Sequence, residues 1–131
     1  MAPYIGNIEK ETLKNNYFRK VLFTGKHEQL VVMCLQPGEE IDREVHEHVD
    51  QFFRVEEGTL RFILNGKKTR IVKNGEAVIV PAGTFHEVLN GSKTKKAKLY
   101  TIYSPPNHPP KTIHKTKKDA DKAEEEEHRL K

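Results

Sequence analysis

The chain has 131 residues, 23 Lys and Arg against 19 Asp and Glu, a formal net charge of +4, one Cys and no Trp. One core-forming domain is expected at that length. No stretch reaches the roughly 18 apolar residues of a membrane span, and one cysteine makes neither an internal disulfide nor a Cys-rich zinc site.

In chain order, Met1 to Asn16 has no apolar signal core, so a secretory route is not expected and a reducing cytoplasmic setting is. From Phe18 to Tyr103 the chain reads as short strands between turn signals. Val21-Leu22-Phe23 comes first, then Leu30 to Leu35, whose nearly unbroken apolar character predicts a strand buried on both faces, with a buried helical turn as the alternative. Pro37-Gly38 ends it. Phe52 to Val55 is closed by Gly58, and Leu60, Phe62 and Leu64 alternate before Asn65-Gly66, the pair that suits a type I′ hairpin. Asn74-Gly75 and Asn90-Gly91 repeat the signal around Ala77 to Val80, and Leu99 to Tyr103 is a further strand. Strands of this length and spacing predict an all-β barrel or sandwich. The boundaries read as an N-terminal arm over 1–20, a barrel over 21–104, and a Pro-rich segment with a charged tail over 105–131.

Residues 104–114 hold four prolines, which rules out a strand or helix interior there. Thr116 with Asp119 forms a capping-box pattern for a short helix over Lys117 to Leu130. From Lys115 onward six basic residues face six acidic ones without a continuous apolar stripe, so a solvated tail is expected.

Metal-ligand residue types concentrate in Glu44-Val45-His46-Glu47-His48-Val49-Asp50-Gln51. In an extended chain Glu44, His46 and His48 share one face, close enough to reach one ion. On its own this octapeptide reads first as exposed polar residues at a strand end. A second segment, from Gly75 to Asn90, places His86 after the Pro81-Ala82-Gly83 turn.

Together the two segments resemble the cupin superfamily. Its second motif, G-x5-P-x-G-x2-H-x3-N, is matched by Gly75, Pro81, Gly83, His86 and Asn90. Its first motif, G-x5-H-x-H-x3,4-E-x6-G, fits Gly38, Glu44, His46, Gln51 and Gly58, with Glu in place of the first His and Gln in place of the Glu. The resemblance extends over roughly residues 28–103, and it is similar to a group of small single-domain cupins sometimes labelled mannose-6-phosphate isomerase-like. It implies a double-stranded β-helix (jelly-roll) barrel with a divalent metal inside, held by Glu44, His46, Gln51 and His86. A rival register uses His46, His48, Gln51 and His86; it leaves seven residues between Gly38 and His46 and two between His48 and Gln51, and the first register is preferred.

Two imidazoles, a carboxylate and an amide oxygen suit Zn, Fe, Mn, Ni or Co and argue against Cu(I) or an iron–sulfur cluster. The function expected is a metal-dependent enzyme on a small molecule, with sugar-phosphate isomerase-like or oxygenase-like chemistry; the alternative is a non-catalytic cupin that binds a small ligand or metal. Arg61, Arg70 or the cluster Lys93, Lys95, Lys96 and Lys98 are candidate phosphate contacts. A homodimer is expected from the resemblance, and scattered lysines without aromatic platforms argue against nucleic acid. By strand parity with Gln51, Phe53 and Val55 face the interior, while Phe52 and Arg54 face outward. Cys34 reads as a small buried residue. His108 and His114 read as exposed loop residues, with a fold over the barrel mouth as the alternative. Glu47 and Glu87 are possible acids beside the ligands.

Overall fold

The computed structural model describes residues 1–130. Ten strands form two antiparallel sheets: β1 (Arg19–Thr24), β2 (Gln29–Leu35), β3 (Glu40–Glu44), β4 (Asp50–Glu57), β5 (Thr59–Leu64), β6 (Thr69–Lys73), β7 (Ala77–Val80), β8 (His86–Leu89), β9 (Ala97–Ser104) and β10 (Ile113–His114). One sheet runs β10-β1-β2-β9-β4-β7 and the other β3-β8-β5-β6. Their inner faces enclose a core that includes Val31, Met33, Phe53, Phe62, Val88 and Leu99. This is the expected double-stranded β-helix. Two helices, α1 (Ile8–Lys14) and α2 (Lys117–Leu130), lie at the chain ends. Among the described residues no helix is long and apolar enough to cross a membrane.

β2 is buried at every position, as its composition predicted. Only one of its faces looks into the barrel; α1 packs against β2, β4 and β9 from outside. Lys98, buried on β9, donates its Nζ to the Leu13 carbonyl of that helix. α1 was not expected from the sequence. It is seven residues long, and its start depends on the Asn7 side chain accepting from the Lys10 N–H at 3.0 Å. Cys34 is buried on β2, and burial raises its thiol pKa.

β4 alternates as read: Gln51, Phe53 and Val55 are buried, while Phe52 and Arg54 lie outward and half-buried. Phe52 packs on Tyr100 with ring centroids 6.0 Å apart, and Arg54 pairs with Glu56. The three Asn-Gly pairs diverge. Asn65 and Gly66 both take positive φ, 53° and 67°, and the Lys67 N–H donates to the Leu64 carbonyl, as a type I′ turn requires. At Asn74-Gly75 only the glycine does so. Asn90-Gly91 makes no such turn. Asn90 is buried, and its Nδ2 donates to the carbonyls of Leu35, Gln36 and Lys95, tying β2 to the loop before β9. Gly58 needs both its freedoms: φ is +85°, and a Cβ there would stand 2.7 Å from the Lys96 carbonyl oxygen.

The Pro-rich segment is irregular, but after its last proline β10 adds two residues to the edge of β1, with Arg19 opposite His114. α2 forms over the span read for it, and the Thr116 hydroxyl caps it by accepting from the Asp119 N–H at 3.1 Å. Most of its described residues are exposed, as a solvated tail would be, but the helix is docked at its start. Ala120 is buried in the core cluster, and Lys117 bonds Asp42 of β3 at 3.0 Å. A single small alanine, together with the stem of a lysine, docks the helix without the apolar stripe that was looked for.

Candidate metal centre

Sheet pairing brings the two motif segments together. Glu44 is the last residue of β3 and pairs directly with His86, the first residue of β8. A register irregularity between Ile41 and Glu44 bends β3 at this point. The chain then leaves the strand, so His46 follows in irregular backbone, and Glu47 and His48 lie in an exposed turn. Three ligand atoms, one each from Glu44, His46 and His86, lie within 4.8 Å of one another. His48 does not belong to this group: the extended run assumed for residues 44–48 stops after Glu44.

Glu44 Oε1 lies 3.1 Å from His86 Nε2 and 3.4 Å from His46 Nε2. The first is a hydrogen bond, while His46 Nε2 is buried without a well-formed partner among the described residues. His86 is 1% exposed, and its Nδ1 faces the Thr84 carbonyl at 3.4 Å, which leaves Nε2 toward the cluster. The His46 and His86 rings are tilted against each other at 5.5 Å, and Phe53 meets the His86 ring edge-on at 5.8 Å. Burial by itself would raise the Glu44 carboxyl pKa, but the close approach of both imidazoles, with the hydrogen bond to His86, prevails and holds it at about 2. A carboxylate is therefore present for a cation at neutral pH.

Gln51 is buried on β4. Its Nε2 donates to Thr101 Oγ1 at 3.0 Å, while its Oε1 has no partner among the described residues. Two of the buried polar atoms left unpaired, His46 Nε2 and Gln51 Oε1, thus belong to residues that the sequence singled out. Tyr103 links them to the far wall. Its ring meets His46 edge-on at 5.8 Å and His108 at 5.1 Å, and its hydroxyl lies 3.2 Å from His108 Nε2. Burial drives the Tyr103 hydroxyl well above the usual tyrosine range, so it stays protonated.

Above the cluster opens a cavity of about 450 Å³, lined by Glu44 and His46 and also by Arg19, His108, His114 and α2. His108 and His114 are therefore not exposed loop residues; they fold over the mouth. The buried Gln29 fastens that loop, its Oε1 accepting from the N–H groups of Asn107 and His108 and its Nε2 donating to the His108 carbonyl. Burial, reinforced by the charge of Arg19, lowers the His108 pKa to about 3, so its imidazole is neutral. None of Arg61, Arg70, Lys93, Lys95, Lys96 and Lys98 lines this cavity. Arg61, Lys95 and Lys96 border a separate depression. Arg19 was missed by the sequence reading. Its signal was strand parity, since Arg19 shares the inward face of β1 with Val21.

The Cupin domain family matches residues 31–103. Uncharacterized protein YrkC of Bacillus subtilis (strain 168) is 46% identical over 129 residues, covering 94% of this chain and 68% of that relative. Uncharacterized protein L612 of Acanthamoeba polyphaga mimivirus is 46% identical over 113 residues, covering 84% of this chain and 70% of that relative. The crystal structure of BH2720 from Bacillus halodurans superposes with a TM-score of 0.88 at 43% identity, covering 92% of this chain and 94% of that one.

Proposed function

The chain belongs to the cupin domain family, and from that premise we propose that its barrel holds one divalent metal ion on Glu44, His46 and His86 and uses it in a reaction on a small molecule. The convergence of those three ligand atoms, with Glu44 and His46 lining an open cavity and His86 buried behind them, carries the reading. The donor set fits: an ionised carboxylate and two imidazoles, with the amide oxygen of Gln51 as a fourth ligand. When bound, such an ion supplies Lewis acidity or, as iron on two His and one carboxylate, dioxygen chemistry.

The residues around it have definite tasks. His86 is locked by burial and by Phe53, which presets the ligand geometry. Tyr103, protonated, supplies a hydroxyl within hydrogen-bonding distance of neutral His108, beside the charged Arg19. The cavity has cations of its own, Arg19, Arg43 and Lys117, in place of the basic residues suggested as phosphate contacts, and both oxygenase-like and sugar-phosphate isomerase-like chemistry fit it.

A second reading, a non-catalytic ligand-binding barrel, draws on one observation: Glu44 and Gln51 stand where the family's first motif has a His and a Glu. Elemental analysis of tag-free protein beside a His86→Ala variant, followed by dioxygen uptake with Fe(II) over a panel of small substrates, separates the two. The proposal expects about one ion per chain, lost in the variant, and uptake with at least one substrate class. Stoichiometric metal without turnover favours the binding barrel, and equal metal in both proteins overturns the site.

A further inference from the structure

A divalent ion on Glu44, His46 and His86 brings two positive charges to a donor set that holds one negative charge. Glu44 is the single carboxylate in that group, and imidazoles bind metal as neutral ligands. The walls around the group add no second negative charge. Gln51, 1% exposed, stands directly opposite Tyr103 in the β4–β9 pairing and shares the inward face of β4 with Phe53. Those two neighbours touch the two imidazoles: Tyr103 meets His46 at 5.8 Å and Phe53 meets His86 at 5.8 Å. Beside the ligands the chain therefore carries a neutral amide, its Nε2 donating to the fully buried Thr101. Tyr103 stays protonated and His108 neutral. Arg19, which meets the Tyr103 hydroxyl, is a further positive charge, and no carboxylate among the described residues pairs with it. The carboxylates at the rim, Asp42, Asp121, Glu124 and Glu127, are exposed and screened by solvent, and Lys117 pairs with the first two at 3.0 Å each.

The loaded donor set thus keeps one uncompensated positive charge at the inner end of a ligand-sized cavity. An unbalanced charge taken away from water is costly, and a ligand that brings one negative charge removes that cost while an uncharged one does not. We propose that the open coordination position selects an anionic oxygen donor, such as a carboxylate of the small-molecule ligand, because Gln51 keeps a second negative charge away from the ion. The rest of the ligand lies in the cavity, whose walls of both signs choose among such anions. The inference rests on the metal site proposed above and names the ligand class for it.

The test loads the full chain with Co(II) and follows its visible absorption at constant ionic strength. Formate, acetate and glycolate are titrated against formamide, acetamide and glycolamide. The acids are expected to shift the spectrum and to bind about tenfold or more tightly than the amides. Gln51→Glu is nearly isosteric, and the Thr101 hydroxyl can donate to the new carboxylate where it accepted from the amide. That variant should keep Co(II), bind the acids about tenfold more weakly and leave the amides unchanged. Gln51→Leu, which removes the amide without adding charge, should keep the preference for acids. Should neither variant fold, the titration of the unaltered protein decides. Acids and amides binding equally to the Co(II) protein, an acid preference that Gln51→Glu keeps in full, or calorimetry showing equally tight acid binding after chelation overturns the proposal and leaves the metal site standing. A protein that takes up no Co(II) overturns the metal site, and the proposal with it.

Discussion

The floor and the mouth of the cavity are built by opposite means. Glu44, His46, Gln51 and His86 sit on or beside paired strands β3, β4 and β8, and each is within a few residues of a turn that sets its register. Arg19, His108, His114 and α2 come instead from the two ends of the barrel chain, and they meet only because β10 pairs with β1 and Gln29 fastens the loop at His108. The floor is thus a rigid donor set whose residue types resemble a large family. The mouth is assembled by long-range packing, and it brings Arg19 and Arg43 to the same cavity as Asp121, Glu124 and Glu127 of α2. On the proposed function, the metal chemistry belongs to the floor and the choice of ligand to the mouth.

If the floor is the rigid part, weakening its support should cost most. Phe53 is fully buried, packed on Phe62 at 5.1 Å and on His86. Phe53→Ala is expected to lose about 3–5 kcal/mol in urea unfolding and to release metal, because the cavity it leaves frees the His86 ring. A loss below about 1 kcal/mol would show a floor that tolerates rearrangement.

The mouth should dominate the mild-acid range instead. His108 has a folded pKa of about 3 against an ordinary 6.5, so between those values the unfolded chain binds a proton that the folded chain refuses. Stability is therefore complete above pH 6.5 and declines as pH falls through that window, by up to a few kcal/mol, with His114 acting in the same direction. Glu44, at about 2 against 4.5, removes stability only below pH 4.5. His108→Asn is expected to flatten the stability profile between pH 4.5 and 6.5 and to leave the decline below it. An unchanged slope in denaturant midpoints across that range contradicts the assignment.

The smallest effect sharpens the comparison from the outside. Lys117 is 19% exposed in its side chain and ties α2 to β3 through Asp42. Lys117→Met should cost less than about 1 kcal/mol and leave metal content unchanged. A cost above about 2 kcal/mol would make α2 part of the barrel's framework rather than a cover.

Much of the floor was legible in the sequence because its information is local. His86 follows a Pro-x-Gly turn, and the alternation of Gln51, Phe53 and Val55 against Phe52 and Arg54 follows from strand parity alone. The extended reading of residues 44–48 failed because the chain turns at Glu47, which no residue type there announces, and it carried His48 out to the surface. Asn90-Gly91 has the composition of a hairpin turn, but burial gave the Asn90 amide three carbonyls to hold. The apolar run Leu30–Leu35 of β2 betrayed its two-sided burial, yet not that α1 covers the second face. Arg19, His108 and His114 were hidden for the same reason: each is unremarkable in its own segment, and only pairing across some 95 positions gives the Arg19–His114 contact its meaning.

The central claim is a place as much as a composition, so the most direct measurement is anomalous scattering from crystals grown with manganese. The account predicts a single strong peak within bonding distance of the Glu44 carboxylate, His46 Nε2 and His86 Nε2. A peak at the acidic rim of α2, or none in the barrel, would contradict it.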